Sequence, residues 1–245
     1  MIDLHCHFLP GVDDGPEQLD EAVQLAEAAV ANGIRAAALT PHVHPRRYPN
    51  TRASLQQVFW DFQQTLIQRN IPLQLFLGGE VRFSPESLEL ILADNVPFYG
   101  EVDGYKIMLL EFPHEMIPAG SLQFVQKLLS MNIRPLIAHP ERNKTVMNVV
   151  DSIRPFTDAG CWLQVTAGSL TGRFGRTAQK VALQLLEEEL IWALATDAHT
   201  LTTRPPDLAS GRDAVAEIMG PRLAKRMVLD RPARILGLDA ATLAA

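Results

Sequence analysis

The chain has almost no cysteine. Cys6 and Cys161 are the only two among 245 residues, too few for a disulfide framework. Positive charge is not in excess either. The 22 Lys and Arg stand against 28 Asp and Glu, a formal charge of −6, which argues against a broad nucleic-acid surface but not against a local cationic pocket for one phosphate. No stretch approaches the ~18 consecutive apolar residues of a membrane-spanning helix, and the N-terminus lacks the basic-then-apolar pattern of an export signal. Cytoplasmic residence without membrane insertion is therefore expected. Repeats, low-complexity tracts and linker-like stretches are missing, and the 17 Pro and 15 Gly are scattered. These absences leave a single domain over residues 1–245, a length that α/β barrels reach.

What is present alternates strand and helix from end to end. Met1 to His7 reads as a first strand, with Ile2, Leu4 and Cys6 on one face and Asp3, His5 and His7 on the other. Asp14-Gly15-Pro16 reads as a helix start, followed by the stripe Ala22, Leu25, Ala26, Ala29 and Val30 and the stop Gly33. Further apolar runs at 34–40, 73–77, 106–111, 134–139, 161–166 and 190–196 bring the expected strands to seven. Amphipathic segments between them, and a helical tail from Leu208 to Leu238, make parallel crossovers the natural connection. The expected fold is α/β, a distorted (β/α)7 TIM-like barrel with its site at the C-terminal strand ends.

Metal-ligand residue types fall where those strands end: His5, His7, Asp14, His42, Glu80, Glu111, His139, Asp197 and His199. One ion would be saturated by five such groups, so nine suggest two or three ions sharing carboxylates. Nitrogen and oxygen donors without thiolate suit Mn²⁺, Fe²⁺ or Zn²⁺ rather than a cysteine-rich structural zinc site. Paired divalent ions activate water and steady the oxygens of a phosphoryl group in flight, so hydrolysis is the chemistry that needs such a set. Arg142, Arg173 and Arg204 follow in loops past the ligands, and guanidinium forks suit a phosphate dianion. Arg142 and Arg204 are the stronger substrate-binding and catalytic candidates, Arg173 the weaker. His44 and His114 have no strand end of their own, and Asp13 and Glu141 read as braces behind the ligands.

The stretches Asp3-Leu4-His5-Cys6-His7, Asp13-Asp14-Gly15-Pro16, Thr40-Pro41-His42, Gly79-Glu80, His139-Pro140-Glu141-Arg142-Asn143, Gly168-Ser169-Leu170-Thr171-Gly172-Arg173-Phe174-Gly175 and Asp197-Ala198-His199 carry a resemblance. The chain resembles the polymerase and histidinol phosphatase (PHP) superfamily. Within it, the match is to the metal-dependent tyrosine-protein phosphatases of bacterial capsular and exopolysaccharide loci. The resemblance implies a trinuclear site, usually of manganese. One ion would take His5, His7, Glu80 and Asp197, a second Glu80, Glu111 and His139, and a third Asp14, His42 and His199. It also implies phosphate-binding roles for Arg142 and Arg204. The implied partner is a phosphorylated bacterial tyrosine autokinase of polysaccharide synthesis, and an oligomer is compatible with the pattern. A cysteine-based mechanism would need Arg at position 12 or 167, where Val12 and Ala167 stand. The alternative activity is that of a small-molecule phosphomonoesterase such as histidinol-phosphate phosphatase. A phosphodiesterase proofreading role fits the acidic charge less well, and a purely structural metal site needs neither nine ligands nor adjacent arginines.

Overall fold

The computed structural model describes residues 1–244. Ten strands occur in chain order: β1 (Ile2–Cys6), β2 (Ala36–Leu39), β3 (His42–Val43), β4 (Gln74–Leu77), β5 (Glu80–Arg82), β6 (Glu101–Val102), β7 (Tyr105–Glu111), β8 (Ile133–Ala138), β9 (Trp162–Thr166) and β10 (Ile191–Ala195). The seven expected strands are all among them. The three extra ones, β3, β5 and β6, are only two or three residues long, too short to leave an apolar run in the sequence.

Every strand pair is parallel except the β6–β7 hairpin. The expected single barrel sheet is not what the ladders form. They divide into a three-stranded sheet, β1-β2-β4, and a seven-stranded sheet, β10-β9-β8-β7-β5-β3 with β6 beside β7. One break follows from sequence: Thr40-Pro41 separates β2 from β3, and Gly78-Gly79 separates β4 from β5. Single hydrogen bonds, Gly78 N–H to the Leu39 carbonyl (2.8 Å) and Glu80 N–H to the Pro41 carbonyl (3.1 Å), carry the pairing across it.

The other break lies between β1 and β10. There Asp197 N–H donates to the His5 carbonyl (2.7 Å), His7 N–H donates to the Ala198 carbonyl (2.8 Å), and Cys6 and Ala198 form an isolated bridge. The buried Asp3 carboxylate splices the same seam, accepting from the backbone N–H groups of Thr196 (2.9 Å) and His5 (3.2 Å) and from the Thr196 hydroxyl. Simple alternation along β1 does not hold either. Its pairing with β2 shifts register between Asp3 and Cys6, so Cys6 leaves the apolar group of Ile2 and Leu4 and packs with the helix-side core.

Two apolar clusters support the strands. Ile107 and Leu109 share the face of β7 that carries Glu111, so their cluster, with Ile2, Leu4, Ala36, Ala38 and Leu136, lies beneath the polar strand ends. The larger cluster packs Met108, Leu110, Ile137 and Leu163 under helices Leu19–Ala31, Arg52–Gln68, Ser121–Ser130 and Gly175–Glu187. The first helix begins at Leu19, not at Asp14-Gly15-Pro16. Gln18 N–H donates to the Glu21 carboxylate (3.1 Å) at its start. The earlier segment is bent into a turn against β1, where a Cβ on Gly15 would stand 2.3 Å from the His7 carbonyl oxygen. The tail is not one helix either: Ala209–Met219 ends at Gly220, and Pro221–Lys225, a π-turn and Arg231–Leu236 follow. Among the described residues no helix is long and apolar enough to cross a membrane.

Asp3→Ala strips acceptors from buried donors at a seam that has no regular ladder. Urea denaturation should show a loss of about 2–3 kcal/mol. A loss below about 0.5 kcal/mol, the range of an ordinary surface change, would mean that the seam does not depend on this carboxylate.

Candidate metal centre

All nine sequence-derived ligand candidates come together at the C-terminal strand ends. His5 is in β1 and His7 just beyond it; His42, Glu80 and Glu111 are in β3, β5 and β7; His139 and Asp197 follow β8 and β10. Asp14 comes from the turn after β1. The backbone is bent sharply at two of them: His139 and Asp197 have φ of 33° and 52°, a left-handed conformation uncommon outside glycine and concentrated at functional sites.

Hydrogen bonds behind the cluster set which ring nitrogens face inward. His5 Nδ1–H donates to Gln164 Oε1 (2.8 Å), His7 Nδ1–H to Asp13 Oδ2 (2.6 Å), and His199 Nδ1–H to the Asp197 carbonyl (3.0 Å). Each ring therefore turns Nε2 toward its neighbours. The Nε2 atoms of His5 and His7 stand 3.1 Å apart. A proton on one of the two makes this a hydrogen bond, and ~3 Å is also the spacing of adjacent ligands at ~2.1 Å from one ion.

The carboxylates repeat this geometry. His42 Nδ1 is 2.8 Å from Glu80 Oε2, and His5 and His7 Nε2 are 3.2 and 3.4 Å from Asp197 Oδ1. Yet Glu80 Oε2, Asp197 Oδ1 and His199 Nε2 are buried with no aligned hydrogen-bond partner. Donors that approach without bonding one another fit a divalent cation held between them. Four sets gather within 4.8 Å: His7, Asp14, His42 and His199; His5, His7 and Glu80; His5, His139 and Asp197; and His42, Glu80 and Glu111. Compared with the division implied by the resemblance, His7 joins Asp14, His42 and His199, while His42 rather than His139 joins Glu80 and Glu111.

The electrostatics follow from burial and charge. Burial opposes ionisation of Asp197, but the charges of Arg142, His5 and Arg204 outweigh it and hold the carboxyl well below its usual range. Glu80 is likewise held low against burial, by His5 and His42. Burial and the Glu80 charge push Glu111 up, with Arg82 (2.9 Å) pulling the other way. Burial and Arg142 push His139 down to about 3, and burial and His7 push His199 down to about 4, leaving both imidazoles neutral. For His42 burial acts downward, but Glu80 and Asp14 raise it to about 10, and Asp13 similarly raises His7. In those two rings a proton meets the demand for positive charge that a metal ion would otherwise meet, so ion binding should release protons.

Above the donors is a cavity of about 200 Å³. Arg142 and Arg204 line it, both gripping Asp197 Oδ2, and the Nε of each is buried without a partner. His44 and His114 line it too, with burial lowering both pKa values. Asp13 and Glu141 sit behind the site: Asp13 holds His7 and the His42 N–H (2.9 Å), and Glu141 holds Ser169 Oγ (2.7 Å) and Thr166 N–H (3.1 Å). Arg173 does not line the cavity; its guanidinium lies 3.7 Å from Asp207. Sequence reasoning missed Gln164, Arg82 and Tyr48, whose ring stacks on His42 at 5.4 Å. Gln164 had a readable signal, a polar side chain inside the apolar run 161–166.

Parallel strands that deliver imidazoles, carboxylates and two arginines to one cavity define a class: an α/β protein with a candidate multinuclear metal centre of hydrolytic type. The family described as "Capsular polysaccharide synthesis, CpsB/CapC" matches residues 1–237, and the chain belongs to it. Tyrosine-protein phosphatase YwqE of Bacillus subtilis is 35% identical over 204 residues, covering 83% of this chain and 79% of YwqE. Tyrosine-protein phosphatase CpsB of Streptococcus agalactiae serotype III is 26% identical over 241 residues, covering 96% and 98%. Among solved structures, one described as YwqE from Bacillus subtilis and CpsB from Streptococcus pneumoniae, unique metal-dependent tyrosine phosphatases, matches with a TM-score of 0.89. It is 30% identical and covers 98% of this chain and 96% of that one.

The cysteines take no part in this geometry. Cys6 Sγ faces the Ala38 carbonyl at 3.5 Å, and burial raises its pKa well above the ordinary value. Burial also pushes Cys161 up to about 12, so at pH 8 only about 10⁻⁴ of it is thiolate. Iodoacetamide at pH 8 should leave both thiols unmodified by intact-mass measurement until the chain is unfolded. Rapid labelling of either in the native protein would contradict this placement.

Proposed function

We propose that the chain is a metal-dependent protein-tyrosine phosphatase acting on a phosphorylated bacterial tyrosine autokinase of capsular or exopolysaccharide synthesis. The observation that carries the reading is the pairing of unpartnered donors, Glu80 Oε2, Asp197 Oδ1 and His199 Nε2, with two arginines, Arg142 and Arg204, that line the adjoining cavity. We assign metal binding to His5, His7, Asp14, His42, Glu80, Glu111, His139, Asp197 and His199, with Mn²⁺ as the physiological ion. Bound divalent ions would supply water activation and Lewis-acid stabilisation of the phosphoryl oxygens.

The chain's own residues do the remainder. Arg142 and Arg204 converge on Asp197, which fixes their guanidinium groups while both still line the cavity, where they can meet a phosphoryl oxygen. Their positive charge also offsets negative charge gathering on those oxygens in the transition state. Gln164 and Asp13 hold the His5 and His7 rings in the tautomer that ligation needs. Arg173, away from the cavity, is not assigned a substrate contact. The two sheets are taken as an incompletely hydrogen-bonded (β/α)7-type barrel forming one catalytic domain, and the protein as cytoplasmic, where an autokinase tail would meet it.

Chelation should abolish p-nitrophenyl phosphate turnover and Mn²⁺ should restore it; activity that survives complete metal removal would refute the reading. His5→Ala and Asp197→Ala should each lower kcat by about 10²-fold or more with reduced metal content. Arg142→Lys and Arg204→Lys keep charge but lose the fork, so both should be impaired at normal metal content. A kcat/KM for histidinol phosphate about tenfold above that for a phosphotyrosyl peptide, worth about 1.4 kcal/mol, would instead make the protein a small-molecule phosphatase.

A further inference from the structure

The Gly168–Gly175 segment brings its phenylalanine, not its arginine, to the site. Hydrogen bonds between Arg173 N–H and the Gly168 carbonyl (2.9 Å) and between Gly175 N–H and the Gly172 carbonyl (3.0 Å) tighten the turn. The Arg173 side chain folds back on Gly168, where its Cδ lies 3.1 Å from the place a Cβ would occupy. The next residue, Phe174, caps helix Gly175–Glu187 and lays its ring against Arg142, 4.7 Å from ring centroid to guanidinium carbon. The same segment is tied to the Arg142 turn from behind, because Ser169 Oγ and Thr166 N–H both donate to the buried Glu141 carboxylate.

Arg142 needs such a seat. Its side chain is only 9% exposed, Nη2 is bound to Asp197, and Nε has no partner. A guanidinium held at one corner can still rotate about that contact. An aromatic face against it restricts the rotation and attracts the cation. Arg204, bound to the same carboxylate oxygen, is 28% exposed, and among the described residues no aromatic ring makes a cation–π contact with it.

We propose that Phe174 is a positioning residue for Arg142, holding the guanidinium plane so that the edge turned to the cavity meets a phosphoryl oxygen. This rests on the assignment of Arg142 to phosphate binding. The pairing pre-organises one of the two arginines before substrate arrives, so its loss weakens phosphate binding rather than ion binding.

The test uses the Mn²⁺-loaded full chain, with inorganic phosphate as competitive inhibitor and a phosphotyrosyl peptide as substrate. Phe174→Leu, and Phe174→Met as a second non-aromatic variant of closer volume, should raise the phosphate Ki and lower kcat/KM by about three- to tenfold, the scale of one partly buried cation–π contact. Metal content should not change. Phe174→Tyr, which keeps the ring face, should stay within about twofold of the parent. In an Arg142→Lys background, Phe174→Leu should add less than about twofold, because the two residues act through one contact. A wild-type phosphate Ki in both non-aromatic variants, or a full multiplicative effect in the Arg142→Lys background, would overturn the proposal. Absence of phosphate inhibition and peptide turnover in the parent would refute the phosphatase reading itself, and this inference with it.

Discussion

Asp197 is the group on which the rest of the centre depends. One of its carboxylate oxygens is gripped by Arg142 and Arg204, and the other faces the Nε2 atoms of His5 and His7 with no hydrogen bond of its own. A single buried anion thus orders the arginines of the cavity on one side and the imidazole rings of the candidate centre on the other. Burial alone would favour the neutral acid, and neighbouring positive charges reverse that preference. The arginines and the candidate metal donors are therefore one electrostatic unit. A change that neutralised Asp197 would disturb both halves together.

The location of Asp197 ties the site to the fold's least regular place. Its N–H closes on the His5 carbonyl across the seam between the two sheets, where Cys6 and Ala198 make only an isolated bridge. Regular ladders hold side chains at fixed alternating positions. A seam allows β1 and the end of β10 to present His5, His7, Asp197 and His199 to one centre, with Asp3 and Thr196 beneath supplying the hydrogen bonds that a ladder would have supplied.

Much of this was legible in the sequence because both signals are local. Strands buried on both faces appear as short apolar runs, and ligand-type residues appear where the runs stop. The seven main strands and all nine clustered donors were readable on those grounds. What was not legible depended on approach in three dimensions. Nothing local told β3 or β5 from a loop, and Asp14-Gly15-Pro16 carries a helix-start signal that contact with the His7 backbone overrides. Arg173 and Phe174 are adjacent, and only the turn from Gly168 decides which of them meets Arg142. Tyr48 acts by contact with His42, and Gln164, though readable as a polar residue in an apolar run, could not be matched to its partner His5 across the intervening sequence.

The left-handed backbone at His139 and Asp197 bears on how the centre can vary. That conformation crowds Cβ, and among residues other than glycine it is entered most readily by Asn, Asp and His. Of those three, Asp and His are the usual metal ligands among the donor types used here. Glu80 and Glu111, by contrast, lie within strands β5 and β7, where an extended backbone accepts a longer side chain. The identity of a candidate ligand is thus filtered twice, first by the torsion the chain must adopt and then by the donor atom an ion would require. At residues 139 and 197 the two filters overlap in an alphabet of about two letters, so the backbone narrows the coordination chemistry before any ion is selected.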